Sequence, residues 1–348
     1  IERWCRANRC APRVRVFGGV VIFWGCVLKH LGWLSLRRLE DRMASIGGDR
    51  KRACRDGSAF CQARQRLAVR VYQQAVGHLG QWAFKRKAEF FRGLRLLLVD
   101  GTTSVLPNTS TLKAVFGCAK NQHGTSMLPS LRWVLLVCQG SGAVLDVAFG
   151  PYAVSELRLF LLLVRRAPSN VLVMGDALFC SYAHMALLQQ RGSHLLCARH
   201  STRKDALRER LGRGDELHVW SRPKATRVRV PAHMLETLPE DLTVRVIHCQ
   251  LAEKGYRTKR VHLCTTLLDP EQFPAAALVA LYAKRWNIEG DLRHLKHTHG
   301  LDRLTAKRPG TVVRELLSGV LAFNAVRALG VASGSQPRTL SHTRVLDL

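Results

Sequence analysis

"LRLLLVD", residues 94–100, decides the fold: a short apolar run that ends on an acid, Asp100. It is too short for a core helix and too apolar for a half-solvated strand, so it reads as a strand buried on both faces. "NVLVMGD", residues 170–176, repeats the pattern and closes on Asp176. Between the two, "SLRWVLLVCQGSGAVLDVAFG" (130–150) reads as two strands about a Gly-Ser-Gly turn, and "SELRLFLLLVRRA" (155–167) as a helix. After the second run come a helix, "SYAHMALLQQRG" (181–192), stopped by Gly192, and a strand, "SHLLCAR" (193–199). The order strand, hairpin, helix, strand, helix, strand predicts a mixed α/β sheet flanked by helices.

Outward from this centre the texture changes twice. Residues 1–92 read as helices with basic faces, "SAFCQARQRLAVRVYQQAVGHL" (58–79) being amphipathic without strand-like alternation. Residues 199–269 turn β-like and basic, as in "HVWSRPKATRVRVP", "LTVRVIHCQL" and "RVHLCTTLL". A long helix follows from about Pro274, then the apolar helix "VRELLSGVLAFNAVRAL" (313–329), and residues 331–348 read as a loose tail.

Composition narrows the function. Lys and Arg number 54 against 25 Asp and Glu, a net charge of +29 spread along the chain, which fits a polyanionic partner, nucleic acid before an anionic membrane surface. The hydrophobic content of 47% is that of a folded protein. Eleven cysteines without CxxC pairs, mostly in apolar runs, suggest reduced buried thiols, not a disulfide framework or a thiolate metal site. The most apolar stretch, "FGGVVIFWGCVL" (17–28), is too short to span a bilayer and reads as a buried helix; no membrane association is expected. No Walker loop, GxSxG elbow or HExxH motif is present, so ATP dependence and hydrolase triads have no support.

In a sheet whose strands end at a common edge, terminal residues of different strands meet. Asp100 and Asp176 each close an apolar strand, where an unpaired carboxylate is costly. They read either as ligands of a hard cation such as Mg²⁺ or as caps of the turns that follow. Asp146, amid apolar residues, lies mid-strand and is set aside.

The third acid comes from "YAKRWNIEGDLRHLK", residues 282–296. On a regular helix Tyr282, Arg285, Glu289, Arg293 and Lys296 share one narrow arc, with Leu281, Ile288, Leu292 and Leu295 beside it to pack on a core. Glu289 at the same sheet edge would complete a two-metal site, and its cationic neighbours make sense only beside an anionic substrate such as phosphate. Trp286 reads equally as a base-stacking residue or a core aromatic. His294, His297 and His299 are spread around the helix, which favours phosphate or solvent contact over zinc.

Asp100 in "VDGTT", Asp176 in "GDALFCSY", and Tyr282, Arg285, Glu289 and Lys296 at their spacing resemble DDE transposases of the insertion-sequence-four type and their Y-R-E-K signature. The likeness covers roughly residues 55–330. It implies a ribonuclease-H-like core over 93–198 and 270–330, interrupted by a β-rich insertion at 199–269, with a helical, DNA-binding region at 1–92. It also implies catalytic Asp100, Asp176 and Glu289 holding two Mg²⁺ ions, for which Mn²⁺ substitutes. Tyr282, Arg285, Trp286, Arg293 and Lys296 would contact DNA.

The reaction implied is cutting and joining of element ends through a hairpin. Terminal inverted repeats and target DNA would be the substrates, in a bacterial cytoplasm, with a homodimer holding the paired ends. Ala177 stands where relatives often carry Arg, which keeps a catalytically decayed DNA-binding relic or repressor of the same fold as the alternative.

Overall fold

A computed structural model describes residues 1–8, 18–32, 58–121, 124–200, 205–224, 230–251 and 259–342 of the 348. Its strands are β1 (Phe90–Phe91), β2 (Leu94–Val105), β3 (Cys118–Asn121), β4 (Gly124–Cys138), β5 (Val144–Pro151), β6 (Val171–Gly175) and β7 (His194–Ala198). β8 (Ala206–Gly212), β9 (Asp215–Ser221), β10 (Asp241–Leu251) and β11 (Lys259–Thr265) follow. β2 sits between β4, its antiparallel neighbour, and β6, which runs parallel to it; β5 flanks β4, and β7 runs parallel to β6. The spatial order β5-β4-β2-β6-β7 is a ribonuclease-H-like sheet. It arises because the hairpin turns back on the first strand while each later strand crosses over through a helix.

The apolar run of β2 is buried on both faces, as read from the sequence, and its period of two divides the core. Leu96 and Leu98 join one cluster with Phe23, Tyr72, Val76, Leu316 and Phe323 from the N- and C-terminal helices. Leu97 and Val99 join the other with Leu159, Leu163 and Met185 from helices Glu156–Arg166 and Tyr182–Gln189. The β-like stretch does not form a sheet of its own. β11 pairs antiparallel with β7, and β10, β9 and β8 continue outward, so among the described residues one sheet carries all eleven strands.

Three details differ from the sequence reading. β2 does not end at Asp100 but runs on to Val105, because β4 is long enough to pair with it as far as Val105 opposite Ser130. The Glu289 region is not one regular helix. It passes from α-helix Ala275–Ala283 through a 3₁₀ turn at Lys284–Trp286 and α-helix Asn287–Arg293 into a π turn at His294–Thr298. Residues 333–342 are not loose: Pro337 and His342 are buried, while 343–348 lie outside the described residues.

The stretch read as a buried helix is Gly19–Leu31, with Ile22, Phe23, Cys26 and Val27 inside; Phe17 lies outside the described residues. It packs with Val69–Lys87 around Pro309–Ala332. That last helix is long and apolar enough to cross a membrane, but 72% of its apolar window is buried within the protein.

Candidate active site

The parallel ladder between β2 and β6 ends with Leu98 opposite Met174. Two residues further along each strand lie Asp100 and Asp176, which therefore stand level on neighbouring strands where β6 stops and β2 continues. The Asp100 carboxylate accepts the Gly101 N–H at 2.7 Å. Burial pushes its carboxyl up to about 7; Asp176 and Glu156 push the same way, against the Gly101 N–H and the Arg285 guanidinium. Asp176 also caps the turn Ala177–Phe179, accepting the Leu178 N–H at 2.9 Å. Capping uses one carboxylate oxygen, so the two readings of this residue are compatible.

Glu156 is the acid that sequence reasoning missed. It opens helix Glu156–Arg166, whose cap Ser155 accepts the Arg158 N–H, and its carboxylate lies across the bare face of Gly101. A β-carbon on Gly101 would meet Glu156 Oε2 at 2.4 Å, so this strand residue must be glycine for the carboxylate to lie there. Burial, followed by Asp176, raises the Glu156 carboxyl, and Arg132 at 3.9 Å opposes the shift. In sequence, Glu156 looks only like a first-turn acid on a helix. The available signal was the glycine directly after Asp100.

The irregular helix reaches this edge from the other side. Leu281, Ile288, Leu292 and Leu295 are buried as expected, and Asn287–Arg293 packs against β2. The polar arc is not one surface, however, because the 3₁₀ and π turns rotate its members out of the regular wheel. Tyr282 is buried, and its hydroxyl donates to the Gly175 carbonyl at 3.1 Å, next to Asp176. Arg285 is buried with its guanidinium 4.2 Å from the centre of the Trp286 ring, and it pairs with Glu289 at 3.7 Å. Trp286 stays 38% exposed, so it is a rim aromatic instead of a core one.

Glu289 has 49% of its side chain exposed, Arg293 is exposed, and Lys296 pairs with Asp302 at 3.0 Å. The histidines also depart from expectation. His299 is buried, its backbone carbonyl against His30 and its ring against His342, and His294 stacks on His342; only His297 of the three is exposed. Apolar surroundings that include Phe323 make His299 a core residue, not a phosphate contact, whereas His294 is half-buried.

The structure thus brings Asp100 and Asp176 together, adds Glu156, and places Glu289 on a helix against the same strand with its carboxylate on Arg285. Among the described residues, no three His, Cys, Asp or Glu side chains lie close enough to hold a metal ion by themselves. Asp100 and Asp176 nonetheless suit a divalent cation: oxygen donors, partly buried, their mutual repulsion only partly offset by arginine.

Residues 92–325 match the family model described as "Transposase DDE domain". The chain belongs to this family. Asp100, Asp176 and Glu289 all fall within the matched DDE domain. Over 276 residues, 78% of this chain, it is 29% identical to transposase InsG for insertion sequence element IS4 of Escherichia coli (strain K12). Over 157 residues, 42% of the chain, it is 29% identical to the putative transposase InsZ of the same strain. These alignments span 60% and 51% of the two relatives, so the chain matches only part of the length of each. Among solved structures, the piggyBac transposase synaptic complex with hairpin DNA aligns with the whole chain and 75% of its own, at a TM-score of 0.48 and 9% identity.

Proposed function

We propose that the chain cuts and joins the ends of an insertion sequence by metal-dependent phosphodiester hydrolysis and transesterification, through a hairpin intermediate. The observation that carries this reading is the level pair of Asp100 and Asp176 on neighbouring strands, with the Asp100 carboxyl raised to about 7 and the Glu289 helix packed on the same strand. Asp100, Asp176 and Glu289 are the proposed ligands of two Mg²⁺ ions, with Mn²⁺ as a substitute. Bound there, the ions would supply Lewis-acid activation of the attacking oxygen and neutralise charge at the scissile phosphate.

The chain's own groups do the rest. Tyr282, through its bond to Gly175, braces the strand end that carries Asp176, a better use of a buried hydroxyl than gripping phosphate. Arg285, Arg293 and Lys296 hold phosphates of the cleaved end, and Trp286 offers a ring edge to a displaced base. Water attacks first and frees a 3′ hydroxyl. That hydroxyl then attacks the opposite strand, closing a hairpin that is reopened before joining to target DNA. Two protomers would hold the two terminal repeats, in a bacterial cytoplasm, at the nucleoid when bound to DNA.

One observation favours the alternative, a DNA-binding relic or repressor: Glu289 rests on Arg285 instead of joining the aspartates. Purified protein, Mg²⁺ and linear DNA bearing the cognate terminal repeats separate the readings. A hairpin-ended fragment is expected; retarded DNA without nicks supports the relic, and nicks without hairpins a simple nuclease. DNA affinity should also fall by roughly 0.9 log units per log of salt for each phosphate neutralised.

A further inference from the structure

Asp291 lies two residues beyond Glu289, on the opposite side of the same short helix, and is 1% exposed. A buried carboxylate must be paired, and here two arginines divide it. Arg327, on helix Pro309–Ala332, donates to Oδ1 at 2.8 Å; Arg338, on the turn Pro337–Thr339, donates to Oδ2 at 2.7 Å. Arg338 reaches further, donating to the Gln139 carbonyl at 2.7 Å, to the Cys138 carbonyl at 3.2 Å and to the Asn287 carbonyl at 3.3 Å. Arg327 in turn donates to the Pro337 carbonyl. The β4–β5 turn closes over this cluster at Gly142, whose φ is +72° and where a β-carbon would stand 3.0 Å from Arg327 Nε and 3.2 Å from Asp291 Oδ1.

The front of the helix carries Glu289, and the back is pinned to three separate elements. The helix needs this pinning. A 3₁₀ turn precedes it and a π turn follows, so no continuous α ladder fixes its rotation. Two charge-assisted contacts, one from each guanidinium plane to each carboxylate oxygen, do fix it.

We infer that Asp291, held by Arg327 and Arg338, is the positioning residue that sets where the Glu289 carboxylate stands relative to Asp100 and Asp176. The C-terminal turn is thereby a working part of the active site, although it touches no substrate. The inference rests on the reading of Glu289 as a metal ligand. A purely structural role for the cluster would instead cost stability across the molecule and leave the chemistry of folded protein unchanged.

The test compares wild type, Arg338→Ala, Asp291→Asn and Glu289→Gln as full chains. Arg338 is the milder site, being partly exposed on a terminal turn, so it keeps the test decisive if Asp291→Asn fails to fold. Two readouts are used: amide hydrogen exchange of residues 287–298 without metal or DNA, and single-turnover strand cleavage with DNA affinity measured alongside.

Arg338→Ala should speed exchange about tenfold or more in 287–298 while β6 and helix Glu156–Arg166 keep wild-type protection. It should slow cleavage roughly 10- to 100-fold at saturating Mg²⁺ with DNA affinity within about twofold. Unchanged exchange in that segment, faster exchange everywhere, or wild-type cleavage would overturn the inference. If Glu289→Gln is inactive and Arg338→Ala is normal, only the positioning role falls. If Glu289→Gln cleaves like wild type, the reading of the site falls first.

Discussion

Two acids in apolar surroundings are treated in opposite ways. Glu315, on helix Pro309–Ala332, accepts from Lys29 Nζ, from the Thr305 hydroxyl at 2.7 Å and from the N–H groups of Thr305 and Ala306 at 3.0 and 2.8 Å. Burial would raise its carboxyl, but Lys29 and these donors outweigh burial and hold it at about 2. Asp100 has one backbone N–H and a nearby arginine against burial, Asp176 and Glu156, and stands at about 7. Acids that serve the fold are given donors until their charge is comfortable. Acids left in mutual repulsion at a sheet edge are held ready for something that arrives later.

The contrast breaks most readily at Asp100 and Asp176. Asn at either position should lower strand cleavage by several kcal/mol of transition-state stabilisation, about 10³-fold or more, while denaturant unfolding shows stability equal to or above wild type. A large loss of stability in Asp100→Asn would mean that its charge serves the fold after all. Glu315→Gln should do the reverse, costing about 3 kcal/mol in urea unfolding because it leaves Lys29 without its counter-charge, with cleavage per folded molecule unchanged.

Their pH dependences should have opposite signs. The Glu315 carboxyl is lowered from 4.5, so its contribution is complete above pH 4.5 and is lost as pH falls towards about 2. The Asp100 carboxyl is raised from 3.8, so metal-free protein should lose stability as pH rises from about 4 to about 7. Comparing melts of Glu315→Gln and Asp100→Asn with wild type across pH 3 to 8 (approximate bounds from the shifts) assigns each slope. The smallest effect is expected at Gly101→Ala, where displacing the Glu156 carboxylate should cost about 1–3 kcal/mol in thermal unfolding.

What was legible in the sequence was what backbone ladders determine. Short apolar runs ending in acids could only be central strands, and pairing then brought Asp100 and Asp176 level without any side-chain information. Glu156 was hidden because its place depends on how one helix crosses the sheet and on one bare strand residue. Arg285 turned inward because the 3₁₀ turn Lys284–Trp286 departs from the regular wheel, and Tyr282, just before that turn, is buried on the same helix as Leu278 and Leu281. The role of Glu315 is hidden in sequence because its partner Lys29 lies 286 residues away. Asp291 lies within residues 282–296, where a charged residue on a basic helix carries no sequence signal of its burial.

The most direct measurement is anomalous diffraction at the manganese edge from crystals soaked in Mn²⁺. The expected result is manganese bound between the Asp100 and Asp176 carboxylates, with Glu289 drawn off Arg285 to within about 2.0–2.2 Å of an ion. Crystals with no manganese at the aspartate pair, or with manganese there and Glu289 still resting on Arg285, would contradict a catalytic site built from these three acids.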